Sequence, residues 1–352
     1  MPFEPAGPSI AKPLLAVLRG ERLAVPPVWM MRQAGRYLPE YRAMRAEKGS
    51  FLNLVYDSDA ACEITLQPLE RFAELDAAIL FSDILIVPYA IGQELTFVTG
   101  EGPRLAPPLV DSKLDDLTPD LSRLAPIYET VAKVKAALPP HKTLIGFAGS
   151  PWTVATYMVA GQGSRDQAEA RRIAYAEPDR FAAIIDRIEA LTLGYLSGQI
   201  AAGAEAVQLF DSWAGSLSPD QFERWVIAPT ARLAAALHAR HPGVPVIGFP
   251  KGAGGKLGAY ARETGVDAVG IDETVDPLWA ARELPEGLPV QGNLDPLALI
   301  AGGDSMRAAV DAILDAFADR PHIFNLGHGI LQDTPIDHVE AMLAYLKRGT
   351  IA

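Results

Sequence analysis

Eight short apolar runs recur along the chain, and each ends abruptly in small or polar residues. Val28–Met31 leads into Arg32, Ala77–Phe81 into Ser82 and Asp83, and Thr143–Phe147 into Ala148, Gly149 and Ser150. Ala206–Phe210 leads into Asp211 and Ser212, Val244–Phe249 into Pro250 and Lys251, and Ala268–Ile271 into Asp272. Pro289–Gln291 leads into Gly292 and Asn293, and His322–Leu326 into Gly327 and His328. Between the runs lie amphipathic stretches at helical spacing. The clearest is Asp179–Ala202, which puts Phe181, Ile184, Ile185, Ile188, Leu191 and Tyr195 on one stripe. Others are Ala60–Phe72, Ser305–Phe317, Pro335–Leu346 and a helix capped at Ser218 with Pro219 at its first position. Continuously apolar strands alternating with helices require a parallel sheet covered on both faces. Eight such units predict a single-domain (β/α)8 TIM barrel, with an open doubly wound sheet as the alternative.

One segment breaks the alternation. Glu94–Val98, the turn Thr99–Pro103 and Arg104–Val110 predict a β-hairpin after the second strand, placed to wall the barrel mouth. There is no internal repeat and no long linker, so residues 13–352 are expected to be one domain. The Pro-rich residues 1–12 are expected to be disordered.

In such a barrel the site lies where strands end. The strand-end residues Arg32, Arg36, Asp83, Ser212, Lys251, Asp272, Asn293 and His328 are therefore the candidates, and a share of them is expected only to tie loops or cap helices. The first run is the most unusual. Pro27–Arg42 reads PVWMMRQAGRYLPEYR, so a buried strand delivers two guanidiniums around small residues, just before a helix starting at Pro39 and Glu40. An arbitrary Arg pair is more often surface decoration. Charge speaks against that here. The chain carries a net −12 with a pI near 5.0, yet Val28–Lys48 holds five cations against two acids, a local +3 that leaves −15 elsewhere. Overall acidity argues against nucleic acid or an anionic membrane as partner, and the basic strand end argues for capture of an anionic small molecule.

Other chemistries find weak support. Cys62 is the single cysteine, so no intrachain disulfide can form, which fits a reducing, cytoplasmic setting; the residue reads as a small core side chain. The six histidines include no HExxH, and His238 and His241 fall near a helix end, so no metal is expected. Gly248–Lys256 reads GFPKGAGGK, but Pro250 falls near the position needing the first Gly of a P-loop and Leu257 replaces its Ser or Thr; it reads as a loop with tight-turn glycines. Neither Ser150 nor Ser212 sits in a GxSxG elbow. No apolar run is long enough to span a membrane. What remains is a pocket of Arg forks, an isolated carboxylate in FSDIL, hydroxyls at Tyr157 and Ser212, and His328. That set suits a polyanionic organic ligand whose interior carries N–H donors or a developing positive charge.

PVWMMRQAGRYLPEYR and GFAGSPWT (Gly146–Thr153) resemble the two signature stretches of the uroporphyrinogen decarboxylase family. FSDIL, TYMVAG (Thr156–Gly161), QLFDS and FNLGHG appear in the family's order, so the likeness runs from about Leu14 to Leu346. The resemblance implies a (β/α)8 barrel working as a homodimer with facing mouths. It implies stepwise loss of CO2 from the four acetates of uroporphyrinogen III, giving coproporphyrinogen III, without metal or organic cofactor. By motif position Arg32 and Arg36 would bind substrate carboxylates with Gln33 beside them. Asp83 would accept the pyrrole N–H groups, while Tyr157, Ser212 and His328 would contact acetates or propionates and Phe147 would line the pocket. Asp83, Arg32 and Arg36 are the expected catalytic set. Trp213 stands where some relatives carry His. Two other readings are a cobalamin-linked or thiol methyltransferase, which needs zinc ligands this chain lacks, and a tetrapyrrole-binding protein without catalysis.

Overall fold

The structure is a computed structural model that describes residues 12–98 and 102–350. Seven of the eight runs form one parallel sheet. Its strands are β1 (Ala77–Ile79), β4 (Thr143–Gly149), β5 (Ala206–Asp211), β6 (Val246–Pro250), β7 (Ala268–Gly270), β8 (Val290–Gln291) and β9 (His322–Ile323), paired in that order. Every residue of β4, β6 and β7 is buried, as helices on the outer face and packed side chains on the inner face require. The predicted hairpin is present as β2 (Glu94–Val98) and β3 (Gly102–Ala106), antiparallel with Glu94 opposite Ala106. Its second arm stops short of the expected Val110 because Pro107 and Pro108 have no N–H to donate. Leu105 N–H donates to the Gly161 carbonyl at 2.8 Å, which ties the hairpin to the end of the helix Pro151–Ala160.

The first run departs most from expectation. Val28–Met31 is not a regular strand; Val28 makes one isolated parallel bridge to Phe324. Backbone bonds flank it on both sides: Phe324 N–H to the Pro27 carbonyl at 2.9 Å and Asp76 N–H to the Val28 carbonyl at 2.8 Å. Beyond Val28 side-chain amides take over. Met30 N–H goes to Gln33 Oε1 at 3.1 Å and Met31 N–H to Asn325 Oδ1 at 2.9 Å, because the chain is about to turn left-handed at Arg32, whose φ is 59°. Side chains also bridge the interior. Trp29 Nε1–H donates to Gln291 Oε1 at 2.9 Å, and Gln291 Nε2–H to Gln208 Oε1 at 3.1 Å, linking the first run, β8 and β5. The sheet is therefore strongly curled.

The last helix before β5 spans Pro178–Ala202. Five of its six predicted stripe residues are buried, each contributing about 1.5–3 kcal/mol for the large apolar ones; Leu191 is only partly buried and Thr192 takes its inward place. Gln199 on this helix has a special task. β1 leaves β4 after Ile79, and the exposed Phe147 N–H and carbonyl are both taken by the Gln199 amide at 2.9 Å. Ser218 precedes its helix as expected, but its hydroxyl bonds Asp220 Oδ1 at 2.6 Å and not a backbone amide. Cys62, expected in the core, is half-buried at the edge of the helix Ser58–Arg71. The predicted disorder over residues 1–12 lies almost wholly outside the described residues. Lys12 itself is anchored, pairing with Glu205 at 2.7 Å and donating to the Lys142 carbonyl at 2.8 Å. Buried apolar residues from Leu14 to Leu346 form a single contiguous cluster.

Candidate active site

Two glycines shape the turn that follows the first run. At Gly35 a Cβ would lie 2.8 Å from the Arg32 carbonyl, and at Gly329 it would collide with the Arg32 side-chain stem. Gly329, in the loop after FNLGH, thus lets the Arg32 stem lie across that loop. The Arg32 side chain is exposed, and its charge is felt at Asp83, Tyr157 and His328. These three belong to different elements, so Arg32 is the cation on which the site converges. Arg36 is also exposed, but its charge is felt at Tyr41, in the helix Pro39–Lys48 that follows the turn. Gln33, expected beside the guanidiniums as a ligand contact, is fully buried. Its Oε1 takes the Met30 N–H and its Nε2–H donates to the Ala77 carbonyl at 3.0 Å, so it pins the arginine turn to β1.

Asp83 lies just past β1 and is half-buried. Its Oδ1 accepts the Leu85 N–H at 2.8 Å. Burial pushes its carboxyl up to about 6, against the pull of the Leu85 N–H and of Arg32. Tyr157, half-buried on the helix Pro151–Ala160, has its ring 6.4 Å from that of Trp213. Burial raises its hydroxyl above the ordinary value, so it is a neutral donor. Ser212 directly follows β5 and is half-buried. His328 is pushed down to about 4 by burial and then by the Lys251 and Arg32 cations, so near neutral pH it is uncharged. Its Nδ1 is buried and has no partner among the described residues. Phe147 faces inward from β4 and meets Phe210 edge-on at 5.5 Å, and Phe210 in turn meets Phe249 at 6.0 Å. This aromatic row gives the polar rim an apolar floor.

Asp272 and Asn293 are tied down. Asp272 Oδ2 accepts the Gly252 N–H at 2.7 Å and its Oδ1 the Thr274 N–H at 2.9 Å. Asn293 Nδ2–H donates to the carbonyls of Asp272 and Val275, both at 2.8 Å. Lys251 acts on the site through its charge at His328. Among the described residues no three His, Cys, Asp or Glu side chains group as metal ligands would. Gln199, which replaces a missing strand partner, carries no motif that spacing could flag, and the part that Gly329, the last residue of FNLGHG, plays in seating the Arg32 stem shows only in the fold. Trp213, a departure from some relatives, places its ring near that of Tyr157.

The arrangement is one guanidinium, one part-desolvated carboxylate, neutral hydroxyl and imidazole donors, and an aromatic floor. It can hold a polyanion by its carboxylates while presenting a negative charge to the ligand's centre. The family model described as uroporphyrinogen decarboxylase (URO-D) matches residues 10–349. A protein named uroporphyrinogen decarboxylase from Rhizorhabdus wittichii is 71% identical, over 97% of this chain and 98% of its own length. One of the same name from Novosphingobium aromaticivorans is 66% identical over 95% and 98%. Among solved structures, a methyltransferase from Methanosarcina mazei superposes with a TM-score of 0.78 over 96% of this chain and 98% of that one, at 18% identity, a likeness of fold alone. The chain belongs to the uroporphyrinogen decarboxylase family.

Proposed function

We infer that the chain catalyses its family's reaction: it is a carboxy-lyase that converts the four acetate side chains of uroporphyrinogen III to methyls, giving coproporphyrinogen III in porphyrin and heme biosynthesis. The observation that carries this reading, beside the family match, is that the Arg32 charge reaches Asp83, Tyr157 and His328 from one strand end. An acetate on an electron-rich pyrrole loses CO2 slowly because the electron pair of the breaking bond has nowhere to go. A proton added to the neighbouring ring carbon makes the pyrrole cationic. The C–CO2 bond then breaks, its electrons neutralise the ring, and the exocyclic methylene takes a proton to become methyl as the ring carbon returns its own. Each CO2 released consumes one proton. Asp83, ionised, accepts the pyrrole N–H groups and stabilises the cation, an effect worth about 3 kcal/mol or more in a water-poor site. Arg32 and Arg36 hold substrate carboxylates, since a guanidinium fork matches them. Tyr157, Ser212 and neutral His328 contact acetates or propionates, Phe147 lines the pocket, and Gln33 keeps the arginine turn in place.

The site sits in the mouth of a closed (β/α)8 barrel forming one domain, with Pro27–Trp29 as its irregular first stave. The backbone bonds on both sides of Val28 and the Trp29–Gln291–Gln208 bridge support closure. The working unit is a homodimer with mouths facing. Leu278 and Leu297, 60% and 63% exposed in the first turns of the helices after β7 and β8, support a covering partner there. The enzyme works in the cytoplasm; the lone cysteine suits a reducing setting, and no helix among the described residues is long and apolar enough to cross a membrane. The test is anaerobic incubation with uroporphyrinogen in the presence of a chelator, followed by separation of products. CO2 and coproporphyrinogen are expected; tight binding without CO2 release would overturn the catalytic reading, and loss of activity to the chelator would overturn the cofactor-free one.

A further inference from the structure

One buried carboxylate beside the site has no part in that chemistry. Asp211, the last residue of β5, is 0% exposed, and burial pushes its carboxyl up to about 7. Its Oδ1 accepts the Thr153 hydroxyl at 2.5 Å, while Oδ2 has no partner among the described residues. Thr153 Oγ1 in turn accepts the Trp213 N–H at 3.0 Å. The Trp213 carbonyl accepts the Trp152 indole N–H at 3.0 Å and the Ser216 hydroxyl at 2.7 Å. The turn Asp211–Trp213 is thus clasped to the first turn of the helix Pro151–Ala160. Tyr157 sits one helical turn past Thr153, and its ring faces that of Trp213. Ser212 lies between two clasped residues.

Packing does not call for an acid here. A buried carboxyl with an unpartnered oxygen opposes folding, and an apolar residue of similar size would hold the strand end better. What the acid supplies is a strong acceptor that orients the Thr153 hydroxyl, leaving the lone pairs of Thr153 free for Trp213.

We propose that Asp211 and Thr153 are positioning residues that hold Ser212 on β5 and Tyr157 on the neighbouring helix at a fixed separation, so that both grip the substrate together. This rests on the reading that Ser212 and Tyr157 contact substrate carboxylates.

Thr153→Val removes the hydroxyl and keeps the shape. It is expected to raise KM for uroporphyrinogen by about tenfold while changing kcat by less than about threefold, and Thr153→Ser is expected to restore KM. Asp211→Asn, which keeps a neutral acceptor, should shift KM the same way by about threefold and serves if Thr153→Val fails to fold. An unchanged KM in the folded variants, or a shift that Thr153→Ser does not rescue, would overturn the proposal. A second readout does not depend on substrate. The indole emission of Trp213, isolated as the difference from Trp213→Phe, should shift in Thr153→Val and return in Thr153→Ser; unshifted emission also overturns the clasp. If Tyr157→Phe and Ser212→Ala leave KM unchanged while the emission behaves as expected, the substrate contacts are wrong and the clasp stands as structure without the positioning role.

Discussion

Asp83 and Asp272 make an instructive pair. Both are acids just past the end of a strand, and a list of strand-end residues treats them alike. Asp272 is 2% exposed, and its two oxygens take the N–H groups of Gly252 and Thr274 and the Thr274 hydroxyl. With Asn293 it knits together the loops after β6, β7 and β8. Asp83 is half-buried, accepts the Leu85 N–H, and stands within reach of the Arg32 charge. One acid closes both oxygens on the loops around it; the other, among the described residues, leaves an oxygen open and uncommitted beside a cation. Unfilled hydrogen-bonding capacity next to a convergent charge separates function from scaffolding better than residue type does.

The largest expected effect tests the open side. Asp83→Asn keeps shape and loses charge, and CO2 release should fall by about a hundredfold or more, the equivalent of about 3 kcal/mol. Near-normal turnover would erase the distinction between the two acids. Next comes the closed side. Asp272→Ala strips two backbone N–H groups of their acceptor and should lower unfolding free energy by about 2 kcal/mol in urea titration, with turnover per folded molecule far less affected than in Asp83→Asn. A third change sharpens the picture within the open side. Arg32→Lys replaces a fork by a point charge and should lower kcat/KM about tenfold, with Arg36→Lys weaker because its charge is not felt at Asp83; equal effects would place the centre of the site nearer Arg36.

The smallest effect is a pH response. With its carboxyl at about 6, Asp83 loses half its charge near that pH, so kcat/KM should halve there and fall further in acid. Stability should move the other way. The folded state holds its proton to a higher pH than the unfolded chain, whose ordinary value is near 3.8, so between the two the fold binds more protons. Stability is then highest below that window and declines as pH rises through it. Thermal melting across pH 4–7 checks the sign, and Asp83→Asn should remove this contribution.

The candidate residues themselves were legible in the chain. Arg32, Asp83, Tyr157 and His328 stand out from strand ends and motifs, and in the structure the Arg32 charge is felt at the other three. For Gln33 the sequence shows a polar side chain beside arginines but not which way it faces; in the fold its amide serves backbone that Val28–Met31 leaves unpaired. The Asp211–Thr153 bond joins residues 58 apart in sequence, and no spacing rule reaches that far. The first run read as a strand because its residues are apolar, yet the left-handed turn at Arg32 ends regular pairing after Val28.

Periodicity and apolar content decided, without tertiary information, that strands alternate with helices and that the sheet is parallel, because burial on both faces can be read one residue at a time. The residue types at strand ends also settled which chemistry was possible. Only the folded structure decided which of those polar groups are free to meet a ligand. That depends on hydrogen-bond partners contributed by distant loops and helices, and a side chain's remaining capacity is a property of its surroundings, absent from the chain until it folds.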